Sequence, residues 1–400
     1  MHSATQYSAP AVLATLIACG APTLHEVAPD PDAGPAPVAR DGGIEEPRDG
    51  GITPDAGEEP PRDAGTEPPR DGGTETPRDG GVEPPRDGGV PLGLLCFSDI
   101  WDPNVGGPDY DQFAPTYASH CFGTNHQDIT GIERVVFVGD SVTVGTPPTP
   151  YEEYYRGVLA DRLAQHFNLD APSDAWKRAS LINGTSLVQD SGDFASCAKW
   201  GARTDDLIED NSQLEDCLPA EERNKRTLVI MTIGGNDIAS ITKNGAPSGG
   251  HTLAEVTMQT QEFVAKLEDA VAWVKDPANF ENGAELVFAN MFEFTDATGD
   301  VGSCPAAGVA GFDEPWADPQ ALEDLVVWAN EEYMRIAVDH GADLIFMLEH
   351  FCGHGFHHDD PMNRCYRGPT SERWFDVSCI HPNPTGHDVI ADMFMAVVDE

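Results

Sequence analysis

Basic side chains are scarce in this chain. Its 23 Lys and Arg stand against 68 Asp and Glu in 400 residues, a formal charge of −45, and a field of that sign repels phosphate backbones and anionic membrane surfaces. A DNA or RNA function is therefore disfavoured. Long apolar runs are missing as well: none approaches the roughly 20 consecutive residues that a bilayer-spanning helix needs, so no conventional membrane span is expected. No Cys-x-x-Cys pair occurs, and cysteines this far apart are unlike a zinc module. The first quarter has almost no apolar material for a core, which leaves one folded domain where length alone would allow two or three.

What is present begins with a short apolar stretch, residues 9–18, that ends in Leu16-Ile17-Ala18-Cys19. This resembles the lipobox of bacterial lipoproteins, which implies cleavage before Cys19 and a lipid on its sulfur; His2 stands in the n-region without any Lys or Arg. An ordinary cleaved secretory signal is the alternative. Setting Cys19 aside leaves eight cysteines, an even set that allows up to four disulfides among 105 complete pairings. That count points to an oxidising compartment, with Cys96 to Cys121 and Cys197 to Cys217 as plausible local loops. Between them and the signal, Pro61-Arg62-Asp63-Ala64-Gly65, Pro69-Arg70-Asp71-Gly72-Gly73, Pro77-Arg78-Asp79-Gly80-Gly81 and Pro85-Arg86-Asp87-Gly88-Gly89 recur every eight residues. Such a Pro/Gly/Glu-rich text cannot offset its ordering entropy by burial. The expected organisation is a signal over 1–19, a disordered repeat linker over 20–92 and one folded domain over 93–400.

From Arg134 onward short apolar runs alternate with longer segments of helical period. Residues 135–138, 179–182, 228–233, 286–289 and 344–348 read as strands, and 151–167, 253–274, 319–338 and 387–398 as helices. Alternation of this kind predicts an α/β fold, a parallel sheet with helices on both faces. Ligands bind such sheets beyond the C-terminal strand ends, and Ser141 and Asn236 each follow a predicted strand.

A serine hydroxyl attacks only when a base takes its proton, and the resulting oxyanion needs fixed donors. Ser141, His381 and Asn236 are residue types suited to those three roles. Gly139-Asp140-Ser141-x-Thr143, Gly201 in Trp200-Gly201-Ala202, Gly234-Gly235-Asn236-Asp237 and His381-Pro382-Asn383 resemble, in order and spacing, the four blocks of the SGNH (GDSL) hydrolase family. The resemblance covers roughly residues 130–400 and implies a flavodoxin-like three-layer α/β/α fold with a five-stranded parallel sheet. It implies Ser141 as nucleophile and first oxyanion amide, Gly201 as second amide donor, Asn236 as side-chain donor and His381 as general base. No organic cofactor follows from it.

One position departs from the family pattern. The triad aspartate usually lies three residues before the histidine, where this chain has Ser378, with Asp376 five before. Either Asp376 reaches His381 through a bent segment, the favoured reading, or a backbone carbonyl near Ser378 orients the imidazole. A second cluster of His350, His354, His357, His358, Asp359 and Asp360 lies in a loop without the helical spacing of a metal site, and a rim or structural role is expected of it instead of a metal. The expected activity is hydrolysis of carboxylic esters, whether small esters, lipids or acetylated glycans, by a monomer that touches a membrane only through Cys19. An acyltransferase acting on envelope glycans and a non-catalytic surface module are the alternatives on the same fold.

Overall fold

The computed structural model describes residues 95–97, 107–113, 121–209, 212–310, 312 and 314–400. The expected signal, Cys19 and the repeat linker lie outside them. Among the described residues six strands form one sheet: β1 (Arg134–Gly139), β2 (Asp190–Ser191), β3 (Phe194–Ser196), β4 (Thr227–Thr232), β5 (Ala284–Ala289) and β6 (Asp343–Ile345), in the order β2-β3-β1-β4-β5-β6. All neighbours run parallel except β2 and β3. The principal helices are α1 (Ser141–Val144), α2 (Tyr155–Phe167), α3 (Gly235–Gly245), α4 (Leu253–Lys275), α5 (Pro319–His340) and α6 (Pro384–Asp399).

Side-chain alternation along the strands divides the core in two. Val136 and Val138 of β1, Val229 and Met231 of β4, and Leu286 and Phe288 of β5 pack with α4 and α5 on one face. Their neighbours Val135, Phe137, Leu228, Ile230, Val287 and Ala289 pack with α2 and α6 on the other. Both faces are covered, which is why β1 and β4 read as unbroken apolar runs instead of alternating ones. Helix ends follow local chemistry: Thr252 and Glu255 form a capping box at the start of α4. Asn383 caps α6 through Gly386 N–H, with Pro384 in its first turn, so α6 begins three residues before the expected start.

Two expected strands differ. Residues 179–182 form a turn, with Ser180 N–H donating to Thr185 O at 2.7 Å and Gly184 N–H to Ser180 O at 2.8 Å. Ile182 at its tip is 94% exposed, so the run has no sheet neighbour to bury it. Its place beside β1 is taken by the buried Phe194-Ala195-Ser196, too short a segment to show a period. The antiparallel β2 then makes the sheet six-stranded where five parallel strands were expected. The last strand ends at Ile345, and Met347–Phe351 turns helical, with Leu348 N–H donating to Asn290 Oδ1 at 2.8 Å.

The expected pairs Cys96–Cys121 and Cys197–Cys217 are disulfides, joined by Cys304–Cys379 and Cys352–Cys365. The first ties Phe97, buried edge-on against Phe346, into the folded unit. Among the described residues no helix is long and apolar enough to cross a membrane.

Candidate active site

The chain leaves β1 toward β3 on one side and returns to β4 on the other, so the sheet's topological switch point lies between β1 and β4. Their C-terminal ends are paired at Gly139 and Thr232. Gly139 has φ +124°, and a Cβ there would sit 2.0 Å from Thr232 O, so only glycine lets the two strand ends approach this closely. Asp140 N–H donates to Thr232 O at 3.0 Å, and Asp140 Oδ1 caps the following helix by accepting from Val142 N–H at 2.9 Å. Ser141 is thereby held in the first turn of α1, directly beyond β1.

Thr143 of the first block and two residues that sequence reasoning passed over, Gln213 and Arg156, hold this turn. Thr143 Oγ1 lies 2.7 Å from both Thr232 Oγ1 and Tyr155 Oη. The Gln213 amide grips Gly139 on both sides, accepting from its N–H at 2.6 Å and donating to its carbonyl at 3.0 Å. Arg156, wholly buried, donates to Thr143 O at 3.2 Å and Trp176 O at 2.7 Å and stacks over the Trp176 ring. Burial pulls its guanidinium down to about 10. Gln213 and Arg156 have no local sequence signal, because each acts on a partner distant in the chain.

The second and third blocks meet the first through hydrogen bonds. Lys199 N–H donates to Gly139 O at 3.0 Å, which carries Trp200 and Gly201 past the end of β1. Gly201 has φ +77° and open space where a side chain would stand. Asn236 Nδ2 donates to Ala202 O at 2.9 Å, leaving its other amide hydrogen available. Asp237 accepts from Thr204 N–H at 3.1 Å and Thr204 Oγ1 at 3.2 Å. Burial pushes the Asp237 carboxyl up to about 7, against those two bonds, and burial likewise lifts Asp140 to about 7. Ser141 N–H and Gly201 N–H have no acceptor among the described residues.

His381 arrives from the segment before α6. Its Nε2 lies 2.8 Å from Ser141 Oγ, although the two residues are 240 positions apart. Burial pushes the imidazole down to about 4, so it is neutral above that pH. Where Asp376 or a backbone carbonyl was expected, its Nδ1 meets the Ser378 hydroxyl at 2.8 Å. Ser378 Oγ in turn donates to Asp376 Oδ1 at 2.5 Å, and Ser378 N–H donates to the same oxygen at 2.7 Å. Asp376 therefore reaches the imidazole through Ser378. The reason is the tight turn between them: Asp376 N–H donates to His381 O at 2.9 Å and Cys379 N–H to Asp376 O at 3.3 Å, and Phe375 bridges Pro382. That closure fixes the carboxylate beside residue 378. A cavity of about 200 Å³ lined by Thr149, Arg373, Asp376 and Asn383 adjoins it.

The histidine-rich loop disperses its side chains. His350 Nε2 contacts Cys121 O, His354 Nδ1 contacts Glu372 O and its ring stacks on Trp374, and His357 Nε2 contacts Asp300. Among the described residues no three His, Cys, Asp or Glu side chains are grouped to hold a metal.

Residues 137–389 match the GDSL-like lipase/acylhydrolase family, a span that covers more than half of the chain and all four blocks. The chain belongs to the GDSL-like lipase/acylhydrolase family. Membership makes ester hydrolysis the class of chemistry for this GDSL-like hydrolase. Its fold is similar to several solved structures at low identity. An extracellular lipase from Streptomyces rimosus is 18% identical, with 66% of this chain and 99% of that one covered at a TM-score of 0.38. An acetyl xylan esterase from Geobacillus stearothermophilus is 15% identical over 68% and 97%, TM-score 0.38. A carbohydrate acetylesterase from Sinorhizobium meliloti is 14% identical over 66% and 99%, TM-score 0.35. No curated protein matches this GDSL-like hydrolase.

Proposed function

We propose that the protein is an exported serine esterase that cleaves carboxylic esters through an acyl-enzyme on Ser141. The observation that carries this reading is the 2.8 Å contact between His381 Nε2 and Ser141 Oγ at the switch point of the sheet. His381 takes the seryl proton as Oγ bonds to the substrate carbonyl carbon. The carbonyl oxygen gains the charge, and Ser141 N–H, Gly201 N–H and the spare Asn236 amide hydrogen are its donors. Collapse breaks the bond to the alcohol, which leaves with the proton from His381. Water then gives its proton to His381, adds to the acyl carbon, and the acid departs as Oγ recovers its hydrogen. Four disulfides support placing the catalytic unit in an oxidising compartment. In the same reading residues 20–92 are a tether and Cys19 its lipid anchor.

A fluorophosphonate probe tests the assignment. The wild type should label covalently and hydrolyse p-nitrophenyl butyrate, and Ser141→Ala should lose the label and at least about 10³-fold in kcat while its melting temperature is retained. Labelling of Ser141→Ala at the wild-type rate would refute the nucleophile.

A further inference from the structure

The position three residues before His381, where the family pattern has an acid, holds a hydroxyl that contacts both the imidazole and a carboxylate. We propose that Ser378 is a positioning residue that links His381 to Asp376, so that Ser141, His381, Ser378 and Asp376 form a four-membered relay. This rests on the reading of Ser141 and His381 given under Proposed function.

The direction of each hydrogen bond follows from the chemistry of the first. Nε2 must be free of hydrogen to accept from Ser141 Oγ, so the imidazole hydrogen sits on Nδ1 and donates to Ser378 Oγ. A hydroxyl has a single hydrogen. With a lone pair taken by Nδ1–H, Ser378 sends its hydrogen to Asp376 Oδ1. All three bonds then run the same way, from Ser141 to the carboxylate. Were the Ser378 hydrogen turned onto Nδ1, the ring hydrogen would move to Nε2 and block attack. The carboxylate therefore selects the productive tautomer without touching the ring. Its charge also attracts the imidazolium formed during attack, across one hydroxyl in a buried setting where such chains polarise one another. The turn is held from outside by the Cys304–Cys379 disulfide, next to Ser378 in the chain. Among the described residues Asp376 Oδ2 has no hydrogen-bond partner, which leaves Ser378 as the route by which this buried carboxylate acts.

Acid should break the relay before it protonates His381. Burial pushes Asp376 up to about 6, opposed by its bonds from Ser378 and by the Arg373 charge, whereas burial holds His381 near 4. Tyr154, the residue that leads into α2, also feels the Asp376 charge, and His381 lies in the same turn as Asp376. A protonated Asp376 no longer requires the Ser378 hydrogen, and the hydroxyl is free to turn onto Nδ1. The acidic limb of kcat is thus expected near pH 6 and belongs to Asp376.

The test measures kcat, KM, the pH profile and fluorophosphonate labelling for full-length Ser378→Ala, Asp376→Asn, the double variant and Ser378→Asp, each with its melting curve. Ser378→Ala and Asp376→Asn should each lower kcat by about 10²-fold or more with KM within about threefold, and the double variant should be no worse than the worse single one. Each single change should also remove the limb near pH 6. Ser378→Asp puts a carboxylate directly on Nδ1, so it should stay within about tenfold of wild type and make Asp376→Asn silent in that background. The relay is overturned if Ser378→Ala turns over within about threefold of wild type, or if the two single losses multiply in the double variant. Should Ser378→Ala fail to fold, Ser378→Asp decides: continued dependence on Asp376 overturns the relay and independence supports it. An active, labelled Ser141→Ala would instead overturn the underlying nucleophile reading.

Discussion

Removing the Cys304–Cys379 disulfide should cost this protein more than removing any of the other three, in stability and in turnover together. It closes a separation of 75 residues, against 25, 20 and 13 for Cys96–Cys121, Cys197–Cys217 and Cys352–Cys365. Chain-entropy scaling puts its contribution at about 4.5 kcal/mol and that of Cys352–Cys365 at about 3 kcal/mol. With an unfolding entropy of about 2 cal/mol/K per residue over roughly 300 residues, those losses lower the melting temperature by about 7 °C and about 5 °C. The activity argument is separate. Cys379 is buried, has φ +76°, and stands between Ser378 and His381 in the chain. Loss of the crosslink frees that left-handed residue to relax, and both contacts to the imidazole ring move with it. A displacement near 1 Å in such a constellation costs up to about 10²-fold. Cys304→Ala/Cys379→Ala should therefore lose at least about tenfold in kcat at 25 °C, while Cys352→Ala/Cys365→Ala stays within about threefold. Calorimetry and p-nitrophenyl butyrate turnover on the same preparations read both numbers. Equal melting shifts for the two variants would refute the loop-length argument, and unchanged kcat in the first would refute the coupling of Cys379 to His381.

Asn236→Ala should lower kcat by about 10² to 10³-fold, the loss of about 2.7–4 kcal/mol expected for one oxyanion donor, with KM little altered; a loss under fivefold in kcat/KM would remove Asn236 from that role. Buried groups of opposite sign should offset one another between about pH 4 and 6.5, and stability should then fall from about pH 6.5 to 7. Asp140 and Asp237, pushed up to about 7 by burial, bind protons in the fold that the unfolded chain has released, so their stabilising share is lost as pH rises from about 4 to 7. His381 and His387, pushed down by burial to about 4 and about 3, have the opposite sign: their stabilising share is complete above the unfolded value of about 6.5 and is lost as pH falls below it. A melting temperature that rises from about pH 6.5 to 7 would contradict the assignment of those two carboxyls.

The sheet and the order of the chemical blocks were legible in the chain because both depend on neighbours a few residues away. The buried strands at 135–138 and 228–233 are continuous apolar runs, the helices carry their own period, and Gly139-Asp140-Ser141 follows its strand by a single turn. Tertiary contacts settled what depends on reach. Whether 179–182 or 194–196 lies beside β1 is a choice among short segments with no period, made by which of them the rest of the core can bury. Gln213 on Gly139 and Arg156 under the Ser141 turn have no pattern, since their partners are contributed by other parts of the chain. The acid next to His381 is the plainest case. Sequence spacing placed a serine where a carboxylate was sought, and a closed turn with a left-handed Cys379 brings that hydroxyl and Asp376 into line. Side-chain direction through such a turn is set by backbone angles and a disulfide to Cys304, which one-dimensional spacing does not contain.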